Sequence, residues 1–164
     1  MKNKNYKNYR KQTQRVRGGM FRSEHGETSE AIFMNSGYTF QTAEEARDRF
    51  AGVIDGYLYS RYSNPTVAMF EERMALNEGA ESCFATASGM SAVFSSLMSY
   101  LKSGDEVVSS RALFGSCYHI VDQILPRYNI TTHLIDGTDL GQWEKYITKK
   151  TRCVFLESPS NPTM

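Results

Sequence analysis

Three features of the 164-residue sequence predict an α/β domain with three layers and a mostly parallel sheet. From Pro65 onward, short apolar runs alternate with longer segments in which apolar residues recur at helical spacing. Helices of this length between strands imply crossover connections, and therefore parallel strands with helices on both faces of the sheet. A hydrophobic content of 40% is enough for one such domain to bury a core.

The first 64 residues are rich in Gly, Ser, Thr, Asn and Arg, and charge divides them into two parts. Before the first acidic residue, Glu24, the chain has almost no aliphatic residues and is rich in basic ones, among them Lys2, Lys4, Lys7, Arg10, Lys11, Arg15 and Arg17. Residues 1–20 are therefore predicted to be a flexible, solvated basic tail. Residues 21–64 are predicted to be an irregular arm with one short helix over Ala43–Phe50, preceded by Thr42.

Residues 65–164 carry the signals for the predicted domain. The clearest helix has six apolar residues on one face and ends at Ser103–Gly104: Met90, Val93, Phe94, Leu97, Met98 and Leu101. A second helix is predicted from Pro65 to a stop at Gly79, with Val67, Phe70 and Met74 at helical spacing. A third is predicted around Ile120–Leu125 and ends near Pro126. A fourth has Leu140, Trp143 and Ile147 on one face, with Asp139 as its cap or first-turn acid. The strand candidates are Ser82–Ala85, Glu106–Ser109, Thr131–Ile135 and Cys153–Leu156.

Composition excludes several classes of protein. A net charge of +1 gives no general reason to expect nucleic acid or an acidic membrane surface as a partner, although the basic tail could contact phosphates. Three widely spaced cysteines suggest neither a disulfide framework nor a zinc site, and so no metal is predicted. No apolar run approaches the roughly 20 residues of a membrane span, and no signal peptide is visible, so a cytoplasmic protein is expected.

Two short segments suggest the binding of an anion. Ser88–Gly89–Met90 lies between a strand candidate and the strongest helix, where free backbone N–H groups suit a phosphate; the alternative is an ordinary helix cap. Tyr59 and Arg61 are two residues apart, which in an extended segment places both side chains on one side. Arg can bind phosphate bidentately and Tyr can add a hydrogen bond, and the alternative is an exposed turn.

Four segments, taken in order, resemble the Cys/Met-metabolism family of pyridoxal-phosphate (PLP) enzymes, and most closely its O-succinylhomoserine sulfhydrylase branch. They are Tyr57–Thr66, Thr86–Ser91, Arg111–Ser116 and the closing Glu157-Ser-Pro-Ser-Asn-Pro-Thr-Met164. The resemblance implies the aspartate aminotransferase-like fold, PLP as cofactor, and residues 65–164 as an incomplete PLP-binding domain. It also implies a homo-oligomer, in the family a tetramer of active dimers.

The resemblance assigns roles to eight residues. The backbone of Gly89 and Met90 would bind the PLP phosphate, with Ser88 as a further cofactor-binding residue of the same motif. Tyr59 and Arg61 would complete the phosphate site of a neighbouring subunit. Phe114 would stack on the pyridine ring where related synthases and lyases have Tyr; its alternative is a core Phe. Asn161 would bind the phenolic oxygen of the cofactor and Glu157 would be a polar partner near it, unless the loop is a plain turn.

The same resemblance places the Schiff-base lysine and the acid that holds the pyridine nitrogen beyond Asn161. No catalytic residue is therefore assigned, and the remaining candidates are taken as surface lysines: Lys102, Lys145, Lys149 and Lys150. One hypothesis is a fragment of an enzyme that makes homocysteine from O-succinylhomoserine and sulfide, for methionine synthesis. Cystathionine γ-synthase and γ-lyase are alternatives. The other hypothesis is that the chain is a truncated, non-catalytic module that binds phosphate or another subunit. Such a module would have an exposed sheet edge and poor solubility.

Overall fold

The computed structural model describes Tyr6 and residues 8–162, and the chain forms two compact units, residues 1–85 and 86–164. Three basic residues of the predicted tail, Lys2, Lys4 and Lys7, lie outside the described residues, as do Thr163 and Met164 of the terminal loop.

In the part of the first unit that the structure describes, the helices are α1 (Lys11–Arg17), α2 (Ala43–Phe50) and α3 (Pro65–Glu78). The prediction for α2 is confirmed, because Thr42 caps it by accepting the N–H of Glu45 at 3.1 Å. The predicted stop of α3 is also confirmed, since Gly79 adopts a left-handed backbone with φ of 67°.

Helix α1 was not predicted, and it lies within the segment interpreted as a solvated tail. Its residues are mostly exposed and polar, so no apolar period marks the helix, but residues 18–20 that follow it are buried. Side chains fix α1 to α3: Arg15 donates to Asn77 at 3.2 Å, and Arg73 donates to the carbonyl of Gly18 at 3.1 Å. Such long-range polar contacts leave no local signal in the sequence.

Two further expectations for the first unit were wrong in detail. In α3, Val67 and Phe70 are exposed, and the buried positions are Pro65, Met69 and Ala75. Residues 82–85 are not a strand in the described structure. The N–H of Ala85 donates to the Glu71 carboxylate at 2.7 Å. This N–H is therefore not available to pair with a neighbouring strand.

The second unit is built on three parallel strands in the order β2-β1-β3, which confirms the predicted parallel sheet. They are β1 (Glu106–Ser110), β2 (Thr131–Ile135) and β3 (Thr151–Phe155). Because β1 is paired on both edges, all residues from Val107 to Ser110 are buried, with Val107 and Val108 at 0% exposure.

Helices cover both faces of this sheet. On one face, Val107 packs with α4 (Gly89–Tyr100) and with a helical run that begins as α5 (Gly115–His119), continues as a π turn over Ile120–Ile124 and ends as a 3₁₀ turn over Leu125–Tyr128. Leu134 of β2 packs against the same cluster. His133 must then face the other way, and its ring lies 5.1 Å from that of Tyr146 in α6 (Leu140–Tyr146).

Helix α6 is capped as predicted, since Asp139 accepts the N–H of Gly141 at 2.9 Å. Its predicted apolar face is less buried than expected, because Leu140 is 75% exposed and Ile147 is 47% exposed. Trp143 instead anchors α6 by donating its indole N–H to the carbonyl of Gly137 at 3.0 Å. Within Tyr6 and residues 8–162, no helix is long and apolar enough to cross a membrane.

Truncation of the core should destabilise the second unit. Leu125 is fully buried where the helical run meets the sheet, so Leu125→Ala should lower the free energy of unfolding by about 2 to 5 kcal/mol. Urea unfolding followed by the fluorescence of Trp143, the single tryptophan, would measure it. Leu140→Ala makes the same chemical change at an exposed position, and an equal loss in both variants would contradict this assignment of the core.

Candidate functional site

The start of α4 leaves two backbone donors available. Ser88 is extended, and its hydroxyl accepts the N–H of Ser91 at 3.1 Å, while its carbonyl accepts the N–H of Ala92 at 3.0 Å. The N–H groups of Gly89 and Met90 point out of the first turn, where a helix has no acceptor of its own. The space beside Gly89 is open, since an added Cβ would meet nothing within 4 Å. Ser88 is thus a helix cap, which was the alternative interpretation of this segment. The same turn also leaves the backbone N–H groups of Gly89 and Met90 exposed.

Phe114 lies at the carboxyl end of β1, immediately before α5. Its ring is 43% exposed, so the alternative interpretation as a core Phe is wrong. The neighbouring Gly115 and Ser116 line a cavity of about 400 Å³ together with Met90 from the start of α4. The structure therefore brings the exposed amides of α4 and the loop of Phe114 to one region of the second unit.

The terminal loop is tied to Phe114 through one carboxylate. Glu157 follows β3, and the N–H of Phe114 donates to both of its oxygens at 2.9 Å. The N–H of Asn161 donates to the same carboxylate at 3.3 Å. Asn161 is exposed, and its side-chain amide has no hydrogen bond among the described residues. The loop also contains two cis peptide bonds, before Pro159 and before Pro162.

A buried thiol lies beside this carboxylate. Burial raises the pKa of Cys117, and the hydrogen bond and negative charge of Glu157 raise it further. Burial alone raises the pKa of Cys153 on β3. Sequence reasoning did not single out Cys117. Its position three residues after Phe114 could have indicated it, because residues three apart in a helix lie on the same face.

Tyr59 and Arg61 lie in the first unit, where Tyr59 forms an isolated antiparallel bridge with Gly37 and the chain then turns. The two residues are therefore not in one continuous extended segment, as was predicted. The carbonyl of Tyr59 accepts the N–H groups of Tyr62 at 2.9 Å and of Ser63 at 3.2 Å, which closes the turn. Both side chains nevertheless line one cavity of about 480 Å³. The guanidinium of Arg61 lies 5.4 Å from the ring centre of Tyr59 and 5.6 Å from that of Tyr62.

A buried asparagine holds this turn in place. Asn64 caps α3 by accepting the N–H of Thr66 at 2.9 Å, and its amide donates to Ser60 and to the carbonyl of Phe33, each at 3.0 Å. Ser60 also bonds the carbonyl of Asn35. Sequence reasoning did not single out Asn64, although an Asn directly before a helix-starting Pro is a cap signal.

Across the residues that the structure describes, no three His, Cys, Asp or Glu side chains come together as metal ligands do. The free thiols there are Cys83, Cys117 and Cys153.

Comparison with known proteins places this geometry in context. A family model described as Cys/Met metabolism PLP-dependent enzyme matches residues 12–164. An O-succinylhomoserine sulfhydrylase of Mycobacterium tuberculosis is 54% identical over 147 residues, which are 90% of this chain and 36% of that protein. An L-methionine gamma-lyase of Porphyromonas gingivalis is 34% identical over 152 residues, covering 93% of this chain and 38% of the lyase.

A solved structure shows the same fold. The chain matches a Campylobacter jejuni protein assigned as an O-acetylhomoserine (thiol)-lyase with a TM-score of 0.84 and 33% identity, over 94% of this chain and 38% of that one. That structure contains a pyridoxyl-lysine phosphate. The chain thus spans less than two fifths of the length of these relatives.

The buried thiol of Cys117 and the half-buried thiol of Cys153 should make the second unit less stable in alkali. Their raised pKa values mean that the folded state holds its thiol protons more tightly, so this contribution is complete below the unfolded thiol pKa of about 8.5 and is lost as the pH rises through the folded values. Urea unfolding monitored by Trp143 should show the decrease as the pH rises above about 8.5. Cys117→Ala should reduce this pH dependence, whereas Cys83→Ala, in the first unit, should not.

Proposed function

The chain belongs to the Cys/Met metabolism family of PLP-dependent enzymes, and we propose on that basis that the protein it comes from is an O-succinylhomoserine sulfhydrylase. Such an enzyme replaces the succinate of O-succinyl-L-homoserine by sulfide and forms homocysteine. The observation that carries the proposal is the 54% identity, over 90% of this chain, to a protein of that name. The Phe114-Gly115-Ser116 sequence supports the same branch of the family.

The residues present fit the cofactor of the family. The N–H groups of Gly89 and Met90, together with the open space beside Gly89, suit a phosphate, and the exposed ring of Phe114 offers a flat apolar face to an aromatic ring. Asn161 has an exposed amide that can donate to a phenolic oxygen. When bound, PLP supplies an electron sink for negative charge that develops on the substrate. Phe114 has no hydroxyl, so in this enzyme residue 114 orients the ring and transfers no proton.

Tyr59 and Arg61 are proposed to complete the phosphate site of a neighbouring subunit in a homo-oligomer. In support, their two side chains share one cavity, and Arg61 has no carboxylate partner among the described residues. The first unit also exposes large apolar side chains, including Ile32 at 75% and Met34 at 93%, as subunit interfaces do. We further propose a cytoplasmic location.

A γ-lyase is the second candidate, because an L-methionine gamma-lyase is 34% identical over nearly the same residues. A non-catalytic phosphate-binding module is the third. Reading the gene beyond Met164 distinguishes the third from the other two: an in-frame continuation to an Asp and a Ser-x-Thr-Lys supports an enzyme. With the 164-residue chain alone, we expect PLP and borohydride to label no single lysine, and specific labelling would contradict that assignment.

Removal of the Arg61 guanidinium should weaken PLP binding. A charge-assisted hydrogen bond contributes about 1.5 to 3 kcal/mol, so Arg61→Ala in the full-length protein should raise the PLP dissociation constant by roughly 10- to 100-fold. Titration of the apoenzyme, followed by PLP absorbance, would measure this constant. Arg127→Ala, at an exposed arginine of the 3₁₀ turn, is the matched control and should bind PLP as the wild type does.

The substrate can be assigned by competing reactions of the full-length protein. We expect homocysteine from O-succinylhomoserine and sulfide, at a kcat/KM higher than with the O-acetyl ester or with cysteine as sulfur donor. Liquid chromatography with mass spectrometry would quantify the products. Faster release of 2-oxobutanoate from methionine than formation of homocysteine would favour the γ-lyase, while PLP binding without turnover would contradict both enzymes.

A further inference from the structure

Glu157 is placed to connect two of the proposed cofactor-contact residues. Its carboxylate lies where the loop after β3 meets the start of α5, and it takes the backbone N–H of Phe114 on both oxygens. One of those oxygens also takes the backbone N–H of Asn161. The side chain of Glu157 is therefore directed at the backbones of the ring-contact residue and of the residue with the exposed amide.

A neutral thiol also lies near this carboxylate. Burial and the neighbouring Glu157 carboxylate raise the pKa of Cys117, which keeps this thiol protonated and neutral. No Lys or Arg pairs with Glu157 in the described ranges of the chain, so no cation competes for its oxygens. Hydrogen bonds to a charged acceptor are about twice as strong as neutral ones, which makes this a firm connection between two segments otherwise 43 residues apart.

We propose that Glu157 is a positioning residue: through the N–H groups of Phe114 and Asn161, it sets the spacing between the face that stacks on the cofactor ring and the amide that bonds its phenolic oxygen. The proposal rests on the proposed function, because only a bound aromatic cofactor needs these two groups at a fixed separation.

Glu157→Gln is the sharpest test, since it keeps the size of the side chain and changes one oxygen to an NH₂. Because Phe114 donates to both oxygens at the same distance, either orientation of the new amide turns a donor towards the N–H of Phe114. The matched control is Glu144→Gln, at an exposed position of α6. Both changes are made in the full-length protein, and far-ultraviolet circular dichroism verifies that each variant is folded.

Two readouts separate positioning from plain stability. In the apoprotein, Glu157→Gln should speed hydrogen exchange at the Phe114 amide by about tenfold, the loss of one charge-assisted hydrogen bond. PLP titration should show a dissociation constant raised by about tenfold and a shifted pH midpoint of the visible absorbance of bound PLP. Glu144→Gln should change neither quantity. Should Glu157→Gln not fold, Glu157→Asp is the second variant. It keeps the negative charge on a side chain that is one methylene shorter, and it should give smaller changes in the same directions.

A double-mutant cycle with Asn161→Ala completes the experiment. If Glu157 acts in part through Asn161, the double variant should raise the dissociation constant by less than the product of the two single effects, whereas fully independent effects multiply. Faster exchange with unchanged PLP affinity would show a structural connection only and would overturn the proposal, as would unchanged exchange. Failure of the wild-type protein to bind PLP would overturn the proposed function instead, and the positioning role with it.

Discussion

The pairing of β1 on both of its edges is the constraint from which the second unit follows. A strand hydrogen-bonded to parallel neighbours on either side, with helices over both faces, has no solvated surface, and Val107 and Val108 are accordingly 0% exposed. Parallel pairing also brings the carboxyl ends of β1 and β3 to the same edge of the sheet. The loops that carry Phe114 and Glu157 therefore meet, although they are far apart in sequence, and their hydrogen bonds can form.

The sequence predicted most reliably the elements whose signals are local. Helix α4 has a complete apolar face, a serine cap and a clear end, and all of its predicted core residues pack where expected. The parallel sheet followed from the spacing of strands and helices. Helix α1 was missed because its stabilising contacts are long-range and polar, such as that of Arg15 with Asn77. Leu140 has the right period for burial but lies at the exposed first position of α6, where little packs above it.

For the candidate site, the sequence predicted which residues to consider, but not how they are arranged in space. Motifs named Ser88, Gly89, Phe114 and Asn161, and the structure adds how backbone groups around them are occupied or left available. The dual hydrogen bond of Glu157 could not be read from spacing, because it depends on which way the carboxylate turns after β3. The turn at Tyr59 is a second example. The side chains of Tyr59 and Arg61 line one cavity because of a hydrogen-bonded turn, whereas the prediction placed them on one side of an extended strand.

The stacking of Arg61 on two aromatic rings has an electrostatic consequence. Aromatic faces orient a guanidinium without neutralising it, and no carboxylate among the described residues does so either. Its full positive charge therefore extends into the cavity that it lines, over a screening length of about 8 Å at physiological ionic strength. An anion approaching this turn would be attracted before contact, and dissolved salt would weaken that attraction far more than it weakens the packing that holds the turn in place.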